Sequence, residues 1–90
     1  MKIELTEDNI IEEITKALKT LDNFEKQEYY NRIVIFLNIK DLHKYWNRMR
    51  RDFLRVNKEL PINYSNPDYI LGYRIFYAII EENVIQITTQ

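Results

Sequence analysis

Apolar positions recur along this chain with two different periods. Ile10, Ile11, Ile14, Ala17, Leu18 and Leu21 follow the i, i+3, i+4, i+7 spacing of an amphipathic helix. Thr6 precedes Glu7-Asp8-Asn9, which suits an N-cap with acids in the first turn, where the helix dipole favours them. Leu42, Tyr45, Trp46, Met49, Phe53 and Val56 mark a second amphipathic helix from Asp41, read as its N-cap, to Asn57. The other period is two. Val84-Ile-Gln-Ile-Thr-Thr89 is strand-like and needs a partner, so the sequence predicts a hairpin of Tyr73–Ile80 and Val84–Thr89, turning at Glu81-Glu82-Asn83. Met1–Leu5 alternates and can add a short strand.

Two stretches read both ways. In residues 24–38, Phe24, Tyr30, Ile33, Val34 and Leu37 share one helical face, while Arg32–Ile39 is also a β-branched run suited to burial on both sides. Length and the Glu25–Glu28 lead-in favour the helix. Beyond the Lys58–Pro67 loop, Tyr69, Tyr73, Phe76 and Ile80 would stripe a helix starting at Pro67. The hairpin is preferred there. The expected fold is one α+β domain over residues 1–90. Two to three amphipathic helices pack on a small antiparallel sheet formed by the C-terminal β-hairpin, with an all-α helical bundle as the alternative.

Composition narrows the chemistry. The 90 residues include no Cys, which removes disulfides, thiolate zinc sites and thiol nucleophiles. His43 is the single histidine, Ser65 the single serine and Gly72 the single glycine. Multi-histidine metal sites and glycine-rich phosphate loops are thereby excluded. Neither Glu12-Glu13 nor Glu81-Glu82 reads as a catalytic couple, because adjacent side chains diverge. No metal or cofactor is expected. The longest apolar runs fall far short of the ~20 residues of a membrane span, and the acidic N-terminus does not fit a secretory signal. A cytoplasmic protein with no membrane partner is expected. Ile, Asn, Lys and Tyr abound while Gly, Ala and Pro are scarce, which suggests an A/T-rich gene of the kind found in phages and mobile elements.

The formal net charge of −1 conceals segregation. Residues 1–31 carry net −4, residues 32–58 net +6 and residues 59–90 net −3. At 100° per residue, Lys40, Lys44, Arg48, Arg51 and Arg55 fall within about 80° of arc, opposite the apolar face, with Arg50 and His43 on a shoulder. Such a stripe can track phosphates or meet an acidic protein surface. It can also be a solvated face answering the acidic first helix. His43 fits a surface or core-edge position, and Trp46 a core anchor. Tyr29, Tyr30, Tyr45, Tyr69, Tyr73 and Tyr77 suit the margin of a small core, where each ring is buried and its hydroxyl is wet.

Gly72-Tyr-Arg-Ile-Phe-Tyr77, running on to Glu82-Asn-Val-Ile-Gln-Ile87, resembles the paired C-terminal strands of RelE/ParE-type toxins. The resemblance implies a first strand at Met1–Leu5, a C-terminal strand pair, and a metal-free ribonuclease in which Arg74 and Tyr77 take part. Against that stands the expectation the charge supports best, a small non-enzymatic binding or regulatory protein. It would engage nucleic acid, or a nucleic-acid-handling protein, through Lys40, Lys44, Arg48, Arg50, Arg51 and Arg55. A further alternative is an inhibitor that mimics nucleic acid with the acids of the first helix, Glu7, Asp8, Glu12 and Glu13. So small a core with so many aromatics also suits a homodimer.

Overall fold

Ile33-Val-Ile-Phe-Leu37 is the hinge of the architecture. In the computed structural model, which describes residues 3–21 and 32–89, this run is strand β1 (Ile33–Leu37), and four of its five residues are buried. The helix favoured for residues 24–38 therefore does not form over Ile33–Leu37; the remainder of that stretch up to residue 31 lies outside the described residues. The physical reason is burial on both faces. Val34 is as buried on the face away from the helices as Ile33, Ile35 and Leu37 are beneath them, and a strand buried on both faces reads as a continuous apolar run, which periodicity alone cannot separate from a buried helix.

The described elements run α1 (Ile10–Lys19), β1, α2 (Ile39–Val56), β2 (Tyr69–Ile70), β3 (Tyr73–Tyr77) and β4 (Ile85–Thr89). The strands form one mixed sheet in the order β2-β3-β1-β4. β1 lies parallel to β3, with Ile35 opposite Ile75, and antiparallel to β4, with Ile35 opposite Ile87. Two helices on a four-stranded sheet make an α+β fold, and the all-α alternative is not supported.

The expected C-terminal hairpin is corrected by this topology. β3 and β4 are the right strands, but β1 inserts between them, and the intervening residues cross its C-terminal end. The hairpin that does form joins β2 to β3, with Ile70 opposite Tyr73. Its two-residue turn places Leu71 at φ 53° and Gly72 at φ 86°, the left-handed conformation that two-residue hairpins demand. The only glycine of the chain sits where a Cβ is least welcome. Ile3–Leu5 are not in a strand; instead the Leu5 N–H donates to Asn83 Oδ1 at 2.8 Å.

Strand alternation sends Ile33, Ile35, Leu37 and Ile75 into one core with Ile10, Ile14 and Leu18 of α1 and Leu42 and Tyr45 of α2. Val34, Phe36, Arg74 and Phe76 project from the opposite face, where the Phe36 and Phe76 rings lie 6.2 Å apart and the Arg74 guanidinium sits 5.0 Å from the Phe76 ring centre.

Helix starts are fixed by local chemistry. Asn9, not Thr6, is the N-cap of α1; Thr6 and Asn9 bond reciprocally in the turn before it, Thr6 N–H to Asn9 Oδ1 (2.7 Å) and Asn9 N–H to Thr6 Oγ1 (3.1 Å). Asn38, not Asp41, caps α2: its Oδ1 accepts from the Lys40 N–H at 2.9 Å. Its amide also donates to the Ile80 carbonyl at 2.7 Å, tying the helix start to the crossing connection. Asp41 lies one turn further in and is fully buried.

Candidate binding surface on the second helix

The six cations singled out in the sequence all lie on α2, and their surroundings divide them. Lys44 reaches Asp41 at 3.1 Å, and the second oxygen of that buried carboxylate accepts the Asn83 N–H at 2.7 Å. Asp41 is thus the internal counter-charge of Lys44 and the anchor of the β3–β4 connection. Lys40 pairs with Glu82 of the same connection at 3.0 Å and holds that exposed carboxyl below its ordinary range. Asp41 and Asn38 thus bond the crossing segment to the start of α2, with Lys44 balancing the buried charge and Lys40 adding an exposed pair.

Arg48 spans a longer gap. Its Nε donates to Asp52 at 2.9 Å, while Nη1 donates to the carbonyls of Glu7 and Asp8, each at 3.0 Å. One guanidinium thereby fastens the turn before α1 to the middle of α2. Arg51 follows on the same side, 2.9 Å from Asp8 and 4.0 Å from Glu7. These are exposed partners, of the kind that contribute little and exchange readily with solvent. Arg50 donates to Asn47 at 3.1 Å, and its Nε, sheltered from water, has no partner.

The last turns of α2 leave the core behind. Leu54 is exposed and Val56 is 85% exposed, so Arg55 and Lys58 stand beyond the reach of the acids around α1. Among the described residues neither has a carboxylate within ion-pairing distance. Lys58 stands outside the six residues singled out in the sequence because it follows Asn57, where the helix ends, and Glu59 beside it gives no local sign of an unpaired cation. The stripe is therefore continuous in angle and split in partnership. Lys44 and Arg48 are half-buried and engaged by the fold, Lys40 is exposed and pairs with Glu82, and Arg51, Arg55 and Lys58 face solvent at the far end.

The remaining candidates settle into structural roles. Trp46 packs against the core, donates its indole N–H to the Pro67 carbonyl at 2.8 Å, and receives the exposed His43 ring edge-on at 5.2 Å. Tyr45 is buried, with its hydroxyl donating to the Tyr69 carbonyl at 2.7 Å. Burial, with a smaller effect of Tyr64, pushes its phenol up to about 12. The acids of the proposed mimic are answered locally, Glu12 and Glu13 by Lys16, and Glu7 and Asp8 by Arg51. Arg74 and Tyr77, three apart on β3, project to opposite faces of the sheet and form no common site. The strand pair and first strand that the toxin resemblance implies are not found among the described residues.

Among the described residues no three His, Asp or Glu gather so as to hold a metal ion, and no helix is long and apolar enough to cross a membrane. No family model, no curated protein and no solved structure matches this chain.

Proposed function

We propose that this protein is a small non-enzymatic binding module that takes nucleic acid on the overhanging end of α2, through Arg51, Arg55 and Lys58 with Arg50 beside them. The observation that carries this reading is the exposure of Arg55 and Lys58 with no described carboxylate in reach, next to an Arg51 whose partners are exposed. Arg51 and Arg55 one turn apart on α2, with Lys58 just beyond its end, make an extended row that suits successive phosphates better than a compact anion. Arginine adds bidentate contacts that lysine cannot make. Lys44 and Arg48, included in the expected interface, serve the fold in this reading, and Lys40, exposed at the other end of the stripe and paired with Glu82, contributes only through long-range potential. The site of action is the cytoplasm, and the A/T-rich composition supports an origin in a phage or mobile element. Two copies acting together would strengthen so small a contact set by raising the effective concentration of the second contact.

The test is fluorescence anisotropy with short single- and double-stranded oligonucleotides, titrated from about 50 to 200 mM salt, where phosphate contacts weaken steeply. The expected slope of log affinity against log salt is about −3, and Arg51→Ala/Arg55→Ala/Lys58→Ala flattens it toward zero. Absence of binding at ~50 mM salt sinks the reading. Capture of a nucleic-acid enzyme that depends on Glu12 and Glu13 would favour the inhibitor alternative in its place.

A further inference from the structure

The two edges of the sheet are built differently. On one side, β2 is two residues long, follows Pro67 and Asp68, and ends at once in the Leu71-Gly72 turn. On the other side, β4 offers Ile85-Gln-Ile-Thr-Thr89, five residues without a charge, a proline or a glycine. Among the described residues no strand lies on its outer side. Proteins ordinarily blunt such edges by shortening them, charging them or inserting proline, because the free N–H and C=O groups template another strand. The β2 edge has these devices and the residues of β4 have none; the Ile3–Leu5 segment reaches only its start, at Asn83.

We propose that the outer edge of β4 is a self-recognition surface, on which a second copy of this chain docks antiparallel to join the two sheets into one. Antiparallel pairing of a strand with its own copy is symmetric, so one two-fold axis satisfies both chains and closes the assembly. Composition favours that occupant. In the antiparallel register centred on Ile87, Ile85 meets Thr89, Gln86 meets Thr88 and Ile87 meets its own copy, so the pairs are mostly β-branched and bring no like charges together. The surroundings favour it too. A groove of about 330 Å³, open to solvent, lies between α1 and the Ile3–Leu5 segment at the start of β4 and is lined by Ile3, Leu5, Ala17 and Ile85 with Glu13 and Lys16. It touches β4 at Ile85 and no residue of β1 lines it. Its apolar floor includes Ile3, which is 55% exposed.

Charge on α1 completes the match. Glu12 and Glu13 occupy the first turn and Lys16 and Lys19 the last. A two-fold axis normal to the sheet reverses α1 in the second copy, so the acidic end of one helix approaches the lysine end of the other. This surface is separate from α2, and the proposal does not depend on nucleic-acid binding.

The experiment is a charge-swap pairing. Gln86 and Thr88 lie opposite Phe36 and Val34 in register and so share their face of the sheet, away from the helix core. The variants are Gln86→Lys/Thr88→Lys and Gln86→Glu/Thr88→Glu. Light scattering of the wild-type chain, from about 1 mM down to 1 µM, is expected to show twice the monomer mass at the upper end, across the range of ordinary interface affinities. Each variant alone is expected to dissociate at concentrations at least tenfold higher, and mixing the two restores the dimer, seen as a heterodimer by native mass spectrometry. A wild-type monomer at 1 mM, variants that dimerise as wild type, or folded variants that fail to pair on mixing would each overturn the proposal. Should a variant lose its circular dichroism, hydrogen exchange of the wild-type chain decides. Slowing of β4 amides with concentration, at unchanged β2 amides, supports the pairing, and equal exchange at both edges refutes it.

Discussion

Tyr45 concentrates the residue-level logic of the fold. Its ring fills the core between α2 and the sheet, while its hydroxyl donates to the Tyr69 carbonyl, so one side chain joins helix to edge strand. Ionising it would strand a negative charge among apolar groups beside an acceptor, and the phenol is accordingly raised to about 12. The folded state therefore holds its proton more tightly than the unfolded chain, whose tyrosines titrate near 10. The resulting stability is complete below pH ~10 and is lost as pH rises through 12. Tyr45→Phe should cost about 1 kcal/mol at pH 7, where the hydrogen bond is lost, and should remove part of the fall in stability between pH 10 and 12. Urea unfolding at pH 7 and at pH 11 measures both; a variant with the same alkaline slope as wild type contradicts the assignment. Trp46 and Tyr45 were legible in the sequence as core and core-margin residues because their spacing fixed the helical face. Asp41 was not. Its reading as a cap followed from local spacing, whereas its burial depends on the Asn83 N–H, 42 positions away.

At the level of elements, both helices were visible because each carries one apolar stripe and one polar face, a pattern that local sequence alone determines. The sheet was harder. β1 lacked alternation because Val34, on the face away from the helices, is as buried as Ile33 and Ile35 on the other. β3 and β4 alternated as strands should, and their proximity in sequence suggested a direct hairpin. Nothing local records that a third strand inserts between them, since the insertion is decided by the apolar surface of β1, 36 residues before Tyr73 at its nearest end. The true hairpin was concealed by its turn residues. Leu71 at φ 53° occupies a position that Asn-Gly turns usually fill with asparagine. A γ-branched side chain there carries left-handed strain, and Leu71, 53% exposed, has little burial to offset it. Leu71→Asn should therefore stabilise the protein by about 0.5–1 kcal/mol, read as a rise in the denaturation midpoint at unchanged slope. A fall would show that the Leu71 side chain packs more than its exposure suggests.

For the whole molecule, the near-zero net charge arises from surfaces that oppose one another across the fold. The acidic segment entering α1 meets the middle of α2, where Arg48 holds two of its carbonyls and Arg51 holds its carboxylates. The sequence located the basic block and its angular order, but an angle cannot say which cations find acids. That depends on where α1 lies along α2, and α2 outruns it. The consequence is a separation of roles along one stripe, open to a paired measurement. Arg48→Ala removes three short contacts of a charged donor that is three-quarters buried, and should cost about 1.5–3 kcal/mol of stability. At temperatures where the variant stays folded, it should leave the salt slope of oligonucleotide binding nearly unchanged. Arg55→Ala, exposed and unpaired among the described residues, should move stability by no more than about 0.5 kcal/mol while reducing that slope by about 1. Chemical denaturation and salt-titrated anisotropy on the same two variants read both quantities. If Arg48→Ala and Arg55→Ala shift stability and slope in the same proportion, the stripe acts as one uniform surface and the division between clamping and binding cations fails.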